Sequence, residues 1–204
     1  MPVVPGGSPP TVVRLRSGAR VVVQRTAPGG AGGQTVAIHL WVFAGTADEG
    51  PDEHGCAHLL EHMIFKPVTI DAVRHDIAVG IEALGGDVNA FTSHDETVFH
   101  ATVPARHFDA ALRALVRPVA HARPTAADLA HEADVVIEEI KQYDDDPASR
   151  VIQDMVEGLF GDHGYARPVL GLEAEVAGHS PAVLRRFLAR NYGGERLALV
   201  VVGP

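Results

Sequence analysis

Two histidines four residues apart with a glutamate just before the second, His58-Leu59-Leu60-Glu61-His62, constrain this chain more than any other stretch. At ~100° per residue, positions four apart lie nearly above one another on a helix, so a helical segment lets both imidazoles reach one ion. The residues around the five are helix formers, and Gly55-Cys56-Ala57 leads into them. Zinc suits such donors, because it accepts nitrogen and oxygen ligands in a tetrahedral shell, and a catalytic site leaves one position open for water. Glu61 then stands where a base is needed. Yet a chain with 12 histidines can also place such a triplet on a solvated helix face, so the pattern, H-x-x-E-H, calls for a third ligand.

The segment opened by Pro124-Thr125 and running to about Tyr143 offers Glu132, Glu138 and Glu139. Glu132 and Glu139 share a helical stripe, since seven residues make two turns minus ~20°, whereas Glu138 is rotated ~100° from Glu139. A paired carboxylate favours Glu139 with Glu132 as its companion. Periodicity alone leaves Glu138 open.

The rest of the chain is that of an ordinary globular domain: 204 residues, 46% hydrophobic and 21% charged, enough to bury a substantial core. The net charge of −9 supplies no basic field for phosphate backbones, so nucleic acid is not an expected partner. One cysteine, Cys56, can form neither an internal disulfide nor a thiolate cage, and it lies on a different helix face from the histidines, as a small apolar residue would. The first ten residues have neither the basic start nor the apolar run of a signal peptide, and no stretch approaches the ~18 apolar residues of a membrane span. The expectation is a cytoplasmic protein without a membrane partner.

Residues 1–11, rich in proline and glycine, read as a flexible arm, and residues 12–204 as one domain. Val12–Leu15 and Arg20–Gln24 read as a hairpin, Pro28–Gly33 as a turn, and Thr35–Phe43 as an interior strand with both faces at least partly covered. Helices are expected from Gly55 or Cys56, over Thr69–Leu84, Arg106–Ala120, Pro124–Tyr143, Ala148–Phe160 and Pro181–Asn191, with strands at Asp87–Thr92, Thr97–Val103 and Arg196–Val202. Gly161–Gly171 reads as a loop, and Arg185, Arg186 and Arg190 as a basic solvated face. Antiparallel hairpins followed by runs of helices predict an α+β fold: an antiparallel-rich mixed sheet with helices packed on one face. The chain stops at Gly203-Pro204 directly after an apolar strand, which leaves room for a missing C-terminal element.

Taken together, these residues resemble the pitrilysin and insulin-degrading type of zinc metallopeptidase, which includes the mitochondrial processing peptidases. The likeness runs through Ala44-Gly45-Thr46-Ala47-Asp48-Glu49, Gly55 to Lys66, and Leu84-Gly85-Gly86-Asp87-Val88-Asn89-Ala90-Phe91-Thr92-Ser93. It continues through Thr97, Glu132 to Ile140, His163-Gly164-Tyr165 and Asn191-Tyr192, covering nearly the whole chain from Val12. In that family the third ligand is a glutamate 77 residues after the second histidine, which here is Glu139. The resemblance therefore implies Zn2+ on His58, His62 and Glu139, Glu61 as general base, and Glu132 supporting the site. It also implies that Asn89, Ala90 and Phe91 form an edge strand on which a peptide substrate adds. Phe65-Lys66-Pro67-Val68 departs from the family's glycine-threonine after the lysine, which bears on the local turn and not on the metal set.

The implied activity is metalloendopeptidase hydrolysis, in which zinc lowers the pKa of a water toward ~7 and Glu61 takes its proton. Family enzymes usually join two homologous halves of this size. One half alone implies a separate partner subunit, a homodimer, or a longer enzyme. The competing expectation is a non-catalytic scaffold or regulatory subunit of the same family, though such subunits usually carry a damaged zinc motif.

Overall fold

The computed structural model describes residues 9–26 and 34–204, so the Pro28–Gly33 turn and nearly all of the expected arm lie outside the described residues. Eight strands are described: β1 (Thr11–Arg14), β2 (Arg20–Arg25), β3 (Thr35–Val42), β4 (Val68–Ile70), β5 (Val73–His75), β6 (Asp87–Thr92), β7 (Thr97–Pro104) and β8 (Leu197–Gly203). The helices are α1 (Cys56–Ile64), α2 (Ile77–Glu82), α3 (Phe108–Ala120), α4 (Ala126–Asp145), α5 (Pro147–Phe160), α6 (Glu173–Gly178) and α7 (Pro181–Asn191). Six strands form one sheet in the order β1-β2-β8-β3-β7-β6, antiparallel throughout except for β2 against β8. This is the expected mixed α+β architecture.

Period-two alternation decides which sheet face carries the helices. Val36, Ile38, Leu40 and Val42 of β3 are buried, and with Phe99, Ala101 and Val103 of β7 they pack on Ile77, Ile81, Ala111, Leu115 and Val119 of α2 and α3. The alternate residues, Ala37, His39 and Trp41, are only half-buried, and Phe43 is exposed. Both neighbours of β3 are hydrogen-bonded to it, which makes it the interior strand its sequence suggests. A second core lies among helices alone: Ala57, Leu59 and Leu60 of α1 meet Leu129, Val136 and Ile140 of α4, with Val176, Leu184 and Phe187 of α6 and α7. Ile64, at the end of α1, belongs to the sheet core. Helix α1 thus spans both cores, which fixes its axis and therefore the direction of its histidines.

One expectation fails here. Thr69–Leu84 is not one helix: β4 and β5 form a small hairpin, and only Ile77–Glu82 is helical. The hairpin turns at Asp71 and Ala72, both left-handed (φ 52° and 61°), while β-branched Val68, Thr69, Ile70 and Val73 favour extended backbone. Asp76 then starts α2 by accepting a hydrogen bond from the Val79 N–H. In addition, the segment after the Gly161–Gly171 loop contains α6, whose buried Val176 belongs to the helical core. Among the described residues no helix is long and apolar enough to cross a membrane.

Candidate functional site

Helix α1 starts without a side-chain cap of its own. Gly55 sits at its N-cap in the left-handed region, φ 83°, where glycine is favoured. The orphan N–H groups are satisfied from outside the helix: the Glu49 carboxylate accepts from Gly55 N at 3.0 Å and Ala57 N at 2.8 Å. Burial pushes the Glu49 carboxyl up to about 8, against the pull of those two donors and of Arg167. Beside it the buried Glu53 carboxylate accepts from Gly50 N, Arg186 and Arg190 at 2.9, 3.0 and 3.0 Å. Burial alone would raise its carboxyl, but these donors win and hold it at about 2. Arg186 and Arg190 are exposed, as their spacing suggests, yet both also reach inward to this buried carboxylate. Arg185, too, is engaged, donating to the Pro124 carbonyl at 3.1 Å.

On the helix so anchored, His58 and His62 bring their rings to 4.6 Å between centroids. Glu139 of α4 comes to both: its Oε2 lies 3.7 Å from His58 Nε2 and 3.5 Å from His62 Nε2. Among the described residues these three form the only group of His, Cys, Asp and Glu able to hold a metal ion, with ligand atoms within 4.8 Å of one another. Zinc bonds of ~2.0–2.1 Å in a tetrahedron separate two donors by ~3.3–3.4 Å, so the two spacings from Glu139 to the histidines need only a few tenths of an ångström of closure. Burial, and then the neighbouring His62, lower the His58 imidazole to about 4, which keeps it neutral as a ligand must be. Glu138 turns away, exposed and paired with Lys141 at 2.8 Å, which removes the alternative that periodicity left open.

Glu132, seven residues before Glu139, is buried, with Oε2 3.5 Å from His62 Nδ1 and Oε1 2.7 Å from Lys66 Nζ. Glu61 accepts a 2.6 Å hydrogen bond from the Thr92 hydroxyl. Burial raises the Glu61 carboxyl, Thr92 and His62 lower it, and the charge of Glu139 raises it. Thr92 ends β6, the last strand of the sheet, whose other backbone edge pairs with no strand among the described residues. Ala90 faces the helix layer with the sheet core packed around it. Asn89 and Phe91 point to the opposite face, and Asn89 Oδ1 accepts from Ala90 N–H at 2.8 Å. A groove of about 360 Å³ lies beside the site, lined among others by Thr92, His94, Ile140, Tyr143, Ile152 and Leu170.

A sequence profile for the insulinase family, peptidase family M16, matches residues 21–173. The chain belongs to that family. An uncharacterized zinc protease of Mycobacterium tuberculosis is 38% identical over 170 residues, 83% of this chain and 38% of that protein. The first half of the periplasmic protease PqqL from Escherichia coli is 27% identical, with a TM-score of 0.83 over 95% of this chain and 42% of that one. A peptidase M16 inactive domain from Pseudomonas fluorescens, 21% identical, has the same fold, with a TM-score of 0.83 over 96% of this chain and 47% of that one. This insulinase-family chain therefore spans less than half the length of these relatives.

Within the insulinase-family scaffold, sequence reasoning placed His58, His62, Glu61, Glu132 and Glu139, and the structure brings all five together. It missed Thr92 as the donor to Glu61, Lys66 as the counter-charge of Glu132, and the Glu49 and Glu53 anchors of α1. His94, which carried no assignment, accepts or donates at 2.8 Å with the Thr46 hydroxyl and stacks on Tyr165.

Proposed function

We propose that this chain is the zinc-bearing half of a metalloendopeptidase, with His58, His62 and Glu139 as metal ligands, Glu61 as general base and Glu132 orienting His62. The observation that carries the reading is the convergence of three donor atoms from α1 and α4, with Glu61 on the same helix. Bound there, zinc supplies Lewis acidity, bringing the pKa of a water toward ~7 and polarising the scissile carbonyl. Glu61 accepts a proton from the attacking water and later delivers it to the leaving amine. Thr92 holds the base against the end of β6, so a peptide added to the free edge of that strand passes close to Glu61. Asn89, Ala90 and Phe91 would present that edge, and an incoming strand would have to take over the Ala90 N–H from which Asn89 Oδ1 now accepts.

A second, homologous half covers the site in this reading, as a partner subunit, a second copy, or further polypeptide. Two facts support it. The relatives are more than twice as long as the matched region, and α5 beside the groove exposes Val151, Met155, Leu159 and Phe160, an apolar stripe of the kind that marks contact surfaces. A cytoplasmic setting belongs to the same proposal.

The test is metal analysis together with Glu61→Gln. The wild-type chain should bind one zinc, and the variant should keep it while losing ~10²- to 10⁴-fold in peptide cleavage measured with the second half present. A chain that holds no zinc, and gains none on addition, would support the scaffold reading instead. Full cleavage by the variant would remove Glu61 from the mechanism.

A further inference from the structure

Lys66 lies four residues beyond His62 and eight beyond His58, so it extends the same stripe past the end of α1, where its N–H still bonds to Met63 O at 3.1 Å. Its ammonium meets Glu132 Oε1 at 2.7 Å, and the Glu132 side chain is only 3% exposed. The other oxygen of that carboxylate is 3.5 Å from His62 Nδ1, while His62 Nε2 is 3.5 Å from Glu139 Oε2. The two nitrogens of one ring therefore face two carboxylates, one deep and tied to a lysine, the other half-exposed among the ligands. Besides Lys66 and His62, one more basic group lies near Glu132: His131, 3.8 Å away and largely exposed.

We propose that Lys66 is a positioning residue: it pins the Glu132 carboxylate so that Oε2 faces and stabilises the Nδ1–H of His62, which keeps the proton on that nitrogen and leaves the Nε2 lone pair aimed at the metal position. The idea rests on the zinc reading above for its purpose, but its geometry does not require the ion. A carboxylate whose one oxygen is fixed by an ammonium has its plane set, and the second oxygen then selects one imidazole tautomer. Such outer contacts typically account for ~10- to 100-fold in metal affinity. Charge alone would act with the opposite sign, because removing a cation near the site makes it more negative and should tighten zinc.

The experiment uses the full chain, with Lys66→Met and Lys66→Arg beside the wild type. Nitrogen chemical shifts of the His62 ring are recorded on the metal-free proteins above the ordinary imidazole pKa of ~6.5, and zinc affinity is measured by competition with a chelator. The wild type should show the Nδ1–H tautomer. Lys66→Met should lose that preference and bind zinc at least ~10-fold more weakly, and Lys66→Arg should retain most of both. An Nε2–H tautomer in the wild type overturns the proposal without any substitution. So does a Lys66→Met protein with unchanged His62 shifts, or one that binds zinc as tightly as the wild type or more so. If the wild type binds no zinc, the zinc reading fails while the tautomer comparison still decides the role of Lys66.

Discussion

Arg190→Met should destabilise the fold by about 3 kcal/mol, and the reason is the burial of its partner. Glu53 is 1% exposed, and its backbone carbonyl accepts the Cys56 N–H at 2.9 Å, so it stands at the entrance of the metal-site helix. At the 3.0 Å between Arg190 Nη1 and Glu53 Oε1, with an effective dielectric of ~20, the Coulomb attraction is ~5.5 kcal/mol. Breaking a buried pair by removing one partner typically costs ~3–5 kcal/mol, because the other charge stays behind. Water screens the half-exposed Arg190 end of the pair, and Arg186 continues to donate to Glu53 at 3.0 Å, which together place the loss no higher than the lower end. For a domain of this size ~3 kcal/mol corresponds to ~6–12 °C in Tm. Thermal unfolding followed by circular dichroism measures it, and adding Glu53→Gln to Arg190→Met should recover part of the loss by removing the stranded carboxylate. Arg150→Met is the control: its pairs with Asp144 and Asp154 are exposed on both sides, so its Tm should stay close to wild type. A Tm drop below ~2 °C for Arg190→Met, or strictly additive losses in the double variant, would refute the claim that Glu53 depends on this cation.

Stability should also carry two opposed pH slopes. Glu49, raised to about 8, keeps its proton in the folded chain where the unfolded chain has released it. Stability therefore falls as pH rises from the ordinary carboxylate range through about 8, by at most ~1.4 kcal/mol per pH unit. Urea melts across pH should show this slope in the wild type and not in Glu49→Gln. Glu53, held at about 2, has the reverse effect, with stability lost as pH falls from the ordinary carboxylate range through about 2. Gly45→Ala places a Cβ 2.2 Å from Ser93 O and 2.5 Å from His94 O, so the loop before α1 must part from the β6–β7 turn. That breaks the Thr46 N–H and Ala47 N–H bonds to those carbonyls; with ~1–3 kcal/mol of overpacking the total should be ~3 kcal/mol, read as a lower urea midpoint.

The fold was legible where a period persists long enough to be counted. Eight residues of β3 alternate cleanly, and twenty residues of α4 carry Leu129, Val136 and Ile140 inward. It was illegible where elements are short. Three-residue strands such as β4 and β5 contain one alternation each, and their turn uses Asp71-Ala72, without the Asn-Gly or Asp-Gly pair that announces a left-handed turn. The same stretch has enough aliphatic residues to imitate a helical stripe. What selects the hairpin is tertiary: Ile70 is buried at its tip and Asp71 pairs with Arg117 of α3 at 2.9 Å.

The site divides along the same line. His58, Glu61 and His62 are fixed relative to one another by a single helical turn and could be read from spacing, whereas spacing paired Glu132 with Glu139 across two turns of another helix but left Glu138 open, the choice being what the family resemblance implies. The contacts that hold those helices in place join residues far apart: Arg190 to Glu53 across 137 positions, Arg186 to Glu53 across 133. Three arginines on one helix look the same in sequence whether they face water or a buried carboxylate. The missing cap of α1 was the available clue, because a glycine entry with no Ser, Thr, Asp or Asn leaves N–H groups that some acceptor must satisfy. An acidic loop precedes that helix, and Glu49 and Glu53 are the acids in it that became buried. The helix that carries His58, Glu61 and His62 is thus held from outside its own sequence, and substitutions at Glu49, Glu53 or Arg190 should change the zinc affinity of the proposed site through the placement of α1.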